Sequence, residues 1–435
     1  MTTLADFDIA TDLKVEFFLP NLEGNPFIVG ISKLGSDAVL STTGQFIIGE
    51  SLLGGEALLG AVAFFWQDLA CTTSAAVIAN GASVEDQLYF QPQPASATIT
   101  LQTYEFDPSV NSAFRPGVPV RLRLAKGPFE RIIWRGVIDT ISGTYEQDGK
   151  NLLRVTAFDS LRELLNTRLP FFDSSNPDNY ISPLEQLDLI AEQFGTSMHE
   201  SSRDAPGKIP SQVLADFIPS ELIFDAIQVG LGILWMDSAT QELVFIPRPD
   251  PSILPDFPIG AGFFIINDSL LGGIDVLGDG QIVYTVGNNH DTRYHLCMSD
   301  ISTLSNSDAV FNSLRVELKD DALTYVLREN PDSISLYGRF AKDVTLNTTD
   351  AFELARWTDA VFNQSPTNLV ESVETPALDR LGNLTEAAFL LPGESLGVNF
   401  SQDILEISDY YTITKVSHFI DVNNWITTLD LWKEA

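Results

Sequence analysis

Strict alternation of apolar and polar residues marks the stretch 95–169 as a set of β-strands. The alternating apolar positions are Ile99 and Leu101 in one strand and Val118, Val120, Leu122 and Leu124 in the next. A period of two is typical of strands with one buried face, because successive side chains point to opposite sides. Two more strand patterns follow. Turn residues at 115–117 come before the second strand, and turn residues at 147–149 come before the last one.

A short amphipathic helix is predicted to close this stretch. Asp159 is suited to cap it, because a side-chain oxygen at that position can accept a hydrogen bond from the first helical turn. Leu161, Leu164 and Leu165 share one face of the helix, and Pro170 limits its extent. The sequence therefore predicts four strands and one helix in about 75 residues.

Further elements follow along the chain. Ser182, Pro183 and Glu185 form a capping box with proline at the first helical position, which predicts a helix that ends at Gly195. More helices are predicted after Pro219, as far as Gly230, and from the capping pair Asp350 and Glu353 through Val361. Strands are predicted at 232–236, 242–247, 281–286, 333–336, 396–400, 410–419 and 425–432.

One motif recurs three times, at 27–40, 46–59 and 264–277, with Phe, Ser, Leu and Gly in the same columns. Each copy combines a short apolar run with a Leu-Gly turn. Two interpretations are open: a repeated β-hairpin, or a strand or arm that docks on equivalent surfaces of a ring.

The chain is expected to be mainly β with short helices, and multidomain, since 435 residues exceed what one core normally supports. The predicted partition is an N-terminal segment with repeats (1–79), a first β domain (80–170), a small α+β domain (171–250), a linker with the third repeat (251–280) and a second β domain (281–435). An apolar content of 44% is ample for these cores.

The formal net charge of −34 limits the possible partners. Such a chain is repelled by phosphates, so sequence-specific nucleic-acid binding is not expected. The acidic surface could serve solubility or adaptation to salt, or it could keep passing DNA from sticking to the wall of a conduit. The start of the chain lacks the basic region of a secretory signal, and its most apolar run, 58–66, is too short to span a membrane.

Several groups of residues could carry chemistry, and each has a simpler interpretation. Gly393-Glu-Ser395-Leu-Gly397 matches a nucleophile elbow, with Asp409 and His418 in the order of a serine hydrolase, but the residues after Ser395 favour a strand where that mechanism needs a helix. His290, Asp291 and His295 could ligate a metal but are more typical of a surface loop. Asp107, Ser109 and Asn111 weakly resemble a calcium loop. Cys71 and Cys297 are expected to be buried free thiols. No catalytic, cofactor or metal site is predicted, and the chain is expected not to be an enzyme.

Three motifs of the first β domain, 115–121 (Arg-Pro-Gly-x-Pro-Val-Arg), 134–139 (Trp-Arg-Gly-x-Ile-Asp) and 156–161 (Thr-Ala-Phe-Asp-Ser-Leu), together resemble the tail-tip hub and minor tail proteins of long-tailed bacteriophages. The second β domain also resembles this family, because the segment 334–338, a helix, the segment 396–400 and the hairpin 411–431 follow one another in a similar order. The resemblance implies two tail-tube-like β-sandwich or barrel domains with a small α+β insertion, so that a homotrimer presents six similar modules to a tail tube.

The resemblance also implies a function. The chain would be a virion protein at the distal end of a phage tail, made in the host cytoplasm, that caps the tube, anchors other tip proteins and forms part of the DNA exit channel. Its partners would be the distal tail protein, the tape measure and tail fibre or tip proteins. The alternatives are a distal tail protein ring, a virion enzyme that hydrolyses polysaccharides or esters, and a carbohydrate-recognition protein, which exposed Trp and Tyr clusters would favour.

Overall fold

The computed structural model describes residues 8–20, 64–68, 72–85, 88–103, 114–145, 151–248, 284–287, 295–304, 311–362, 369–378, 382–402, 405–421 and 423–433. All three repeated motifs, at 27–40, 46–59 and 264–277, lie outside these residues. The chain divides into two compact units. The small unit comprises Asp8–Ala75 and Ala97–Phe158, and the large unit comprises Met1–Phe7, Ala76–Ser96 and Asp159–Ala435.

Strands make up most of the described chain, which confirms the predicted mainly β fold with short helices. The elements of the first half are α1 (Ile9–Asp12), β1 (Leu13–Pro20), β2 (Phe64–Asp68), β3 (Thr72–Glu85), β4 (Tyr89–Thr103), β5 (Pro119–Lys126), β6 (Phe129–Tyr145), β7 (Asn151–Phe158), α2 (Ser160–Asn166), β8 (Leu169–Asp173), β9 (Tyr180–Ile181), α3 (Pro183–Phe194), β10 (Ile209–Pro210), β11 (Val213–Phe217), α4 (Ser220–Gly230), β12 (Gly232–Met236) and β13 (Leu243–Pro247). Those of the second half are β14 (Tyr284–Gly287), β15 (His295–Cys297), β16 (Asp300–Leu304), β17 (Ser313–Leu318), β18 (Tyr325–Glu329), α5 (Pro331–Tyr337), β19 (Ala341–Leu346), α6 (Ala351–Phe362), β20 (Leu369–Pro376), a 3₁₀ turn (Glu386–Ala388), β21 (Ser395–Gln402), β22 (Leu405–Asp421) and β23 (Trp425–Lys433).

The small unit is built on an antiparallel sheet in the order β2, β1, β5, β6, β7. The alternation predicted for β5 is confirmed, because Val120, Leu122 and Leu124 are fully buried while the residues between them are half-buried. Phe17 of β1 is equally buried and meets the ring of Phe114 edge-on, with centroids 5.0 Å apart. The core of this unit therefore lies on one face of the sheet.

Gly136 allows β6 to approach β7 closely. A Cβ atom at this position would lie 2.3 Å from the backbone oxygen of Phe158 and 2.5 Å from the Trp134 ring. We therefore expect Gly136→Ala to destabilise the protein by about 2 kcal/mol, the typical cost of overpacking. Thermal unfolding checks this, with Gly127→Ala as the control, since Gly127 has open space around its Cβ direction but a φ of 57°. A larger loss from Gly127→Ala than from Gly136→Ala would contradict the steric explanation.

The predicted helices of the large unit are confirmed. Ser182 accepts the N–H of Glu185, whose carboxylate accepts the N–H of Ser182, and α3 ends at Gly195 in the left-handed conformation. Asp350 accepts backbone hydrogen bonds from Phe352 and Glu353 at the start of α6. Leu161 and Leu164 of α2 are fully buried in a core that also contains Trp357 and Phe245. The predicted strands at 232–236 and 242–247 pair as β12 and β13.

The strand predicted at 333–336 is wrong. Residues Pro331–Tyr337 form the helix α5, because the side chain of Asn330 accepts the N–H of Ser333 and Pro331 takes the first helical position. Gly338 ends the helix at a φ of 86°. No residue of α5 is buried, so its apolar Leu336 and Tyr337 do not face a core.

Each unit contains an antiparallel three-stranded meander of similar dimensions. β5, β6 and β7 have 8, 17 and 8 residues, and β21, β22 and β23 have 8, 17 and 9 residues. In both, the pairing of the long middle strand with the last strand shifts by one residue, at Ile138/Thr140 and at Ile413/Lys415. The flanking strands differ: β1 runs antiparallel to β5, whereas β14 runs parallel to β21.

Candidate functional site

The serine, acid and histidine of the hydrolase motif do not meet. Ser395 begins β21 opposite Thr412, whereas His418 lies six residues farther along β22, about 20 Å away at the rise of a strand. Asp409 binds the ammonium group of Lys433 at 2.7 Å. Ser395 follows a turn at Gly393 and continues as a strand, so the strand-turn-helix of a nucleophile elbow is not formed here.

His418 is a structural residue. Its Nδ1 lies 3.2 Å from Nε1 of Trp425 and 3.1 Å from the hydroxyl of Thr427. An indole N–H can only donate, so Nδ1 accepts and the proton of the neutral ring sits on Nε2. Burial lowers the pKa of His418 to about 4. The imidazole is therefore uncharged at neutral pH and holds the β22–β23 hairpin together.

The remaining chemical candidates lie largely outside the described residues. This applies to His290, Asp291 and Cys71, and to the group Asp107, Ser109 and Asn111; His295 and Cys297 fall in the short strand β15. The described part of the chain holds no cluster of three or more potential metal ligands. Within it, no helix is long and apolar enough to cross a membrane.

A buried carboxylate and two arginines link β1 to β5 in the small unit. Glu16 accepts hydrogen bonds from Nε of Arg121 and from the terminal nitrogen of Arg123, both at 2.6 Å. Burial raises the pKa of Glu16, but the hydrogen bonds from Arg123 and Arg121 outweigh it and lower the pKa below its ordinary value. The Arg121 guanidinium also lies 4.3 Å from the centroid of the Trp66 ring. The two contacts of Glu16 join residues that are 105 and 107 positions apart, and local sequence patterns do not reveal them.

Glu16→Gln is expected to destabilise the protein by about 2 kcal/mol at pH 7, because two half-buried arginines lose their carboxylate. Glu130→Gln is the control: Glu130 also binds Arg123, at 2.8 Å, but is 65% exposed. An exposed pair contributes about 0.5 kcal/mol. The depressed pKa of Glu16 means that its contribution is lost as pH falls through the acid range, so the effect of Glu16→Gln shrinks there. Urea unfolding of the wild type and the two variants at pH 7 and pH 3 measures these effects. Equal effects of Glu16→Gln and Glu130→Gln would refute the role of burial.

One carboxyl group of the large unit is buried without a hydrogen-bond partner. Asp159 precedes α2 as predicted, but its side chain makes no capping hydrogen bond, and both of its carboxyl oxygens are buried and unpaired. Burial raises the pKa of Asp159 to about 7. The backbone N–H groups of Ala95, Leu161 and Arg162 lie near enough to oppose this shift in part, although none has the geometry of a hydrogen bond to the carboxyl group. The position is set by the backbone, since the N–H of Asp159 donates to the carbonyl of Ala95 at 2.9 Å.

The large unit also carries a small sheet with one buried and one exposed face. The sheet order is β18, β17, β19, with β18 antiparallel and β19 parallel to β17. Leu314, Val316 and Val344 face the core. The opposite side, here called the outer face, carries Tyr325, Leu327 and Glu329 of β18, Ser313, Arg315 and Glu317 of β17, and Ala341, Asp343 and Thr345 of β19.

Large apolar side chains are concentrated around the outer face. Six of the thirteen that are exposed in the described chain lie between residues 323 and 340: Leu323, Tyr325, Leu327, Leu336, Tyr337 and Phe340. Leu323 is 90% exposed, Leu336 75% and Tyr337 70%. Exposed apolar clusters are typical of protein interaction sites. The sequence did not indicate this cluster, because alternating apolar residues suggest burial.

No protein-family model and no curated protein matches the sequence, but solved structures match the fold. The tail protein from Neisseria meningitidis is similar with a TM-score of 0.53 and 10% identity, over 86% of this chain and 94% of that chain. The 43 kDa tail protein of prophage MuSo2 from Shewanella oneidensis is similar with a TM-score of 0.53 and 11% identity, over 85% of this chain and 95% of that chain. The resemblance to tail proteins is thus confirmed for the fold.

Proposed function

We propose that this chain is a structural protein of a phage or phage-like tail tip, the baseplate hub. The observation that carries the proposal is the fold similarity to two tail proteins, which extends over 94% and 95% of their chains and is not confined to one domain. Three described residues with shifted pKa values have structural surroundings, which supports a structural role: His418 and Asp159 are buried, and Glu16 is tied by arginines. In this role the protein caps the tail tube and anchors other tip proteins.

The two meanders support the finer proposal of two tube-like modules per chain. A homotrimer with two similar modules in each copy presents six similar surfaces, which matches a six-fold tube, and closed rings arise from such repeated surfaces. The modules would lie within the predicted β domains 80–170 and 281–435. The distal tail protein, the tape measure and tail fibre or tip proteins are the proposed partners.

The acidic composition suits a protein around a DNA channel. With a formal charge of −34, the protein repels phosphate groups and offers no general attraction to DNA. Passing DNA would therefore not adhere to the channel wall.

Electron microscopy of purified tails tests the proposal. An epitope-tagged copy of the chain, expressed with the tail genes of its own particle, is labelled with gold-conjugated antibody. We expect label at the distal end of the tail and the chain among the proteins of purified tails. Label along the whole tube, or absence of the chain from purified tails, would overturn the proposal.

A further inference from the structure

One side of the small unit's sheet carries a row of charged residues, and the other side packs into the core through Val120 and Leu122. The charged side, here called the polar face, carries Glu16 of β1, Arg121 of β5 and Arg135 of β6. Glu16 is directly opposite Arg121, and Arg121 is directly opposite Arg135. Opposite residues of antiparallel strands have Cβ atoms about 5 Å apart on the same side of the sheet. The two arginines are therefore immediate neighbours.

Arg135 has no carboxylate partner. It is half-buried, and no carboxylate of the described chain binds it. Burial, followed by the positive charge of Arg121, lowers the pKa of Arg135. The Arg135 guanidinium lies 5.5 Å from the centroid of the Trp66 ring. A half-buried charge beside a like charge is unfavourable until a group of opposite sign binds it.

Arg121 has hydrogen-bond donors to spare. Its Nε donates to Glu16 at 2.6 Å, and its terminal nitrogens make no hydrogen bond to a described residue. Arg121, Arg123 and Arg135 carry three positive charges, whereas the carboxylates bound to them, Glu16 and Glu130, carry two negative charges. One positive charge of this cluster is therefore uncompensated, on a protein whose formal charge is −34.

Two apolar side chains on the polar face are accessible beside these arginines. Trp66 is half-buried, whereas the other five tryptophans of the chain are buried. Its ring centroid lies 4.3 Å from the Arg121 guanidinium. Val137 follows two residues after Arg135 on the same side of β6 and is 39% exposed. Tryptophan and arginine are enriched at the centres of protein interfaces, so the polar face has the composition of a protein-binding site.

The free donors identify the chemistry of the ligand. Guanidinium groups bind carboxylates and phosphates through paired N–H donors. DNA is a dense polyanion that a chain of charge −34 repels, whereas a partner protein that is neutral or basic overall can bring a single carboxylate to the site. We propose that Arg135 and the terminal nitrogens of Arg121 bind one carboxylate group, an aspartate or glutamate side chain of a partner protein. The inference rests on the proposed function only for the identity of that partner, a neighbouring tail protein.

Calorimetric titration of the full chain with glutarate tests the site, because glutarate carries the carboxylate group of a glutamate side chain. Titrations at constant ionic strength compare the wild type, Arg135→Gln and the control Arg154→Gln, which removes the same charge from an exposed arginine of β7. We expect the wild type to bind with a Kd of about 1 mM, as a small ligand with few contacts does. Arg135→Gln should weaken binding at least about 10-fold, the loss typical of a charged hydrogen bond. Arg154→Gln should change it less than about 2-fold, because an exposed charge is screened.

Two further measurements separate a binding role from a structural one. Arg135→Lys keeps the charge but loses the paired donors, so it should still weaken glutarate binding at least about 3-fold. Without glutarate, Arg135→Gln should keep or raise the midpoint of thermal unfolding, because it removes an uncompensated charge beside Arg121. Such a gain is common where a residue serves function at the expense of stability. A structural arginine would instead lower the midpoint when it is replaced.

The proposal is overturned by a wild type that binds no glutarate at about 100 mM, by Arg135→Gln or Arg135→Lys binding like the wild type, or by a lower unfolding midpoint of Arg135→Gln. A preference for inorganic phosphate over glutarate of more than about 10-fold overturns the choice of a carboxylate. So does binding of a short single-stranded oligonucleotide that Arg135→Gln abolishes.

The inference and the hub function fail separately. A chain located at the tail tip whose glutarate binding ignores Arg135→Gln refutes only the inference. A chain that binds glutarate through Arg135 but is absent from purified tails refutes only the hub function.

Discussion

Asp159→Asn is expected to stabilise the protein above pH 7 by up to about 4 kcal/mol and to have little effect at pH 4. The Asp159 side chain is 5% exposed, and its two carboxyl oxygens have no hydrogen-bond partner. Ionising such a group in an apolar site is unfavourable, and burial accordingly raises its pKa to about 7. Asparagine has nearly the same shape, caps helices as well as aspartate does, and cannot ionise.

The direction of the pH dependence follows from proton binding. Between the ordinary aspartate pKa near 4 and the folded value of about 7, the folded state holds a proton that the unfolded state has released. Stability from this group is therefore fully present below pH 4 and is lost as pH rises to 7. A difference of about three pH units corresponds to about 4 kcal/mol. Urea unfolding at each pH from 4 to 8 measures it.

Asp188→Asn is the matched control, because it removes one negative charge from an exposed position of α3. Its effect should be within about 0.5 kcal/mol at every pH, as for most surface substitutions. If Asp159→Asn and Asp188→Asn gave the same pH profile, the gain would come from the reduced net charge of the chain and not from the buried carboxyl group.

The sequence predicted the elements whose signals are local. The capping box of Ser182 and Glu185, the alternation in β5 and the closing hairpin β22–β23 all appear in the structure because the residues that determine them are neighbours in the chain. Pairing across long separations was not predictable in this way. The strand β1 was missed, although Glu16 and Phe17 are both buried in the small unit, because its partner β5 follows about 100 residues later.

Local patterns also misled where two interpretations share the same residues. Ile334 and Leu336 alternate with serine as in a strand, but the cap Asn330 and Pro331 just before them set a helix. The Ser395, Asp409 and His418 order fits a hydrolase, but strand register separates the three side chains. The position of Asp159 before α2 was predicted correctly. Its side chain makes no capping hydrogen bond, and this depends on the packing around it, which local sequence does not reveal. The cluster of exposed apolar side chains between residues 323 and 340 was missed for the same reason, since exposure is a property of the folded chain.

His418→Asn is expected to remove a contribution of His418 that lowers stability by about 3 kcal/mol as pH falls from 6.5 to 4. The folded pKa of about 4 lies below the ordinary value of 6.5, so in this range the unfolded state binds a proton that the folded state excludes. Stability from this group is present above pH 6.5 and is lost as pH falls. Asparagine can still accept from the Trp425 indole but cannot be protonated. His199→Asn, at a half-buried histidine whose Nδ1 lies 2.7 Å from the hydroxyl of Ser201, is the control.

The two buried groups act in opposite directions over nearly the same pH range, and both belong to the large unit. From pH 4 to 6.5, Asp159 lowers stability as pH rises while His418 increases it, so their contributions nearly cancel in the wild type. Asp159→Asn alone should therefore give a stability that rises with pH, and His418→Asn alone one that falls with pH. The double variant should restore the weak pH dependence of the wild type, since sites without shared partners are additive. Unfolding midpoints at pH 4, 5, 6 and 7 for the four proteins provide the test. Single variants with parallel profiles would show that neither buried group controls the pH dependence.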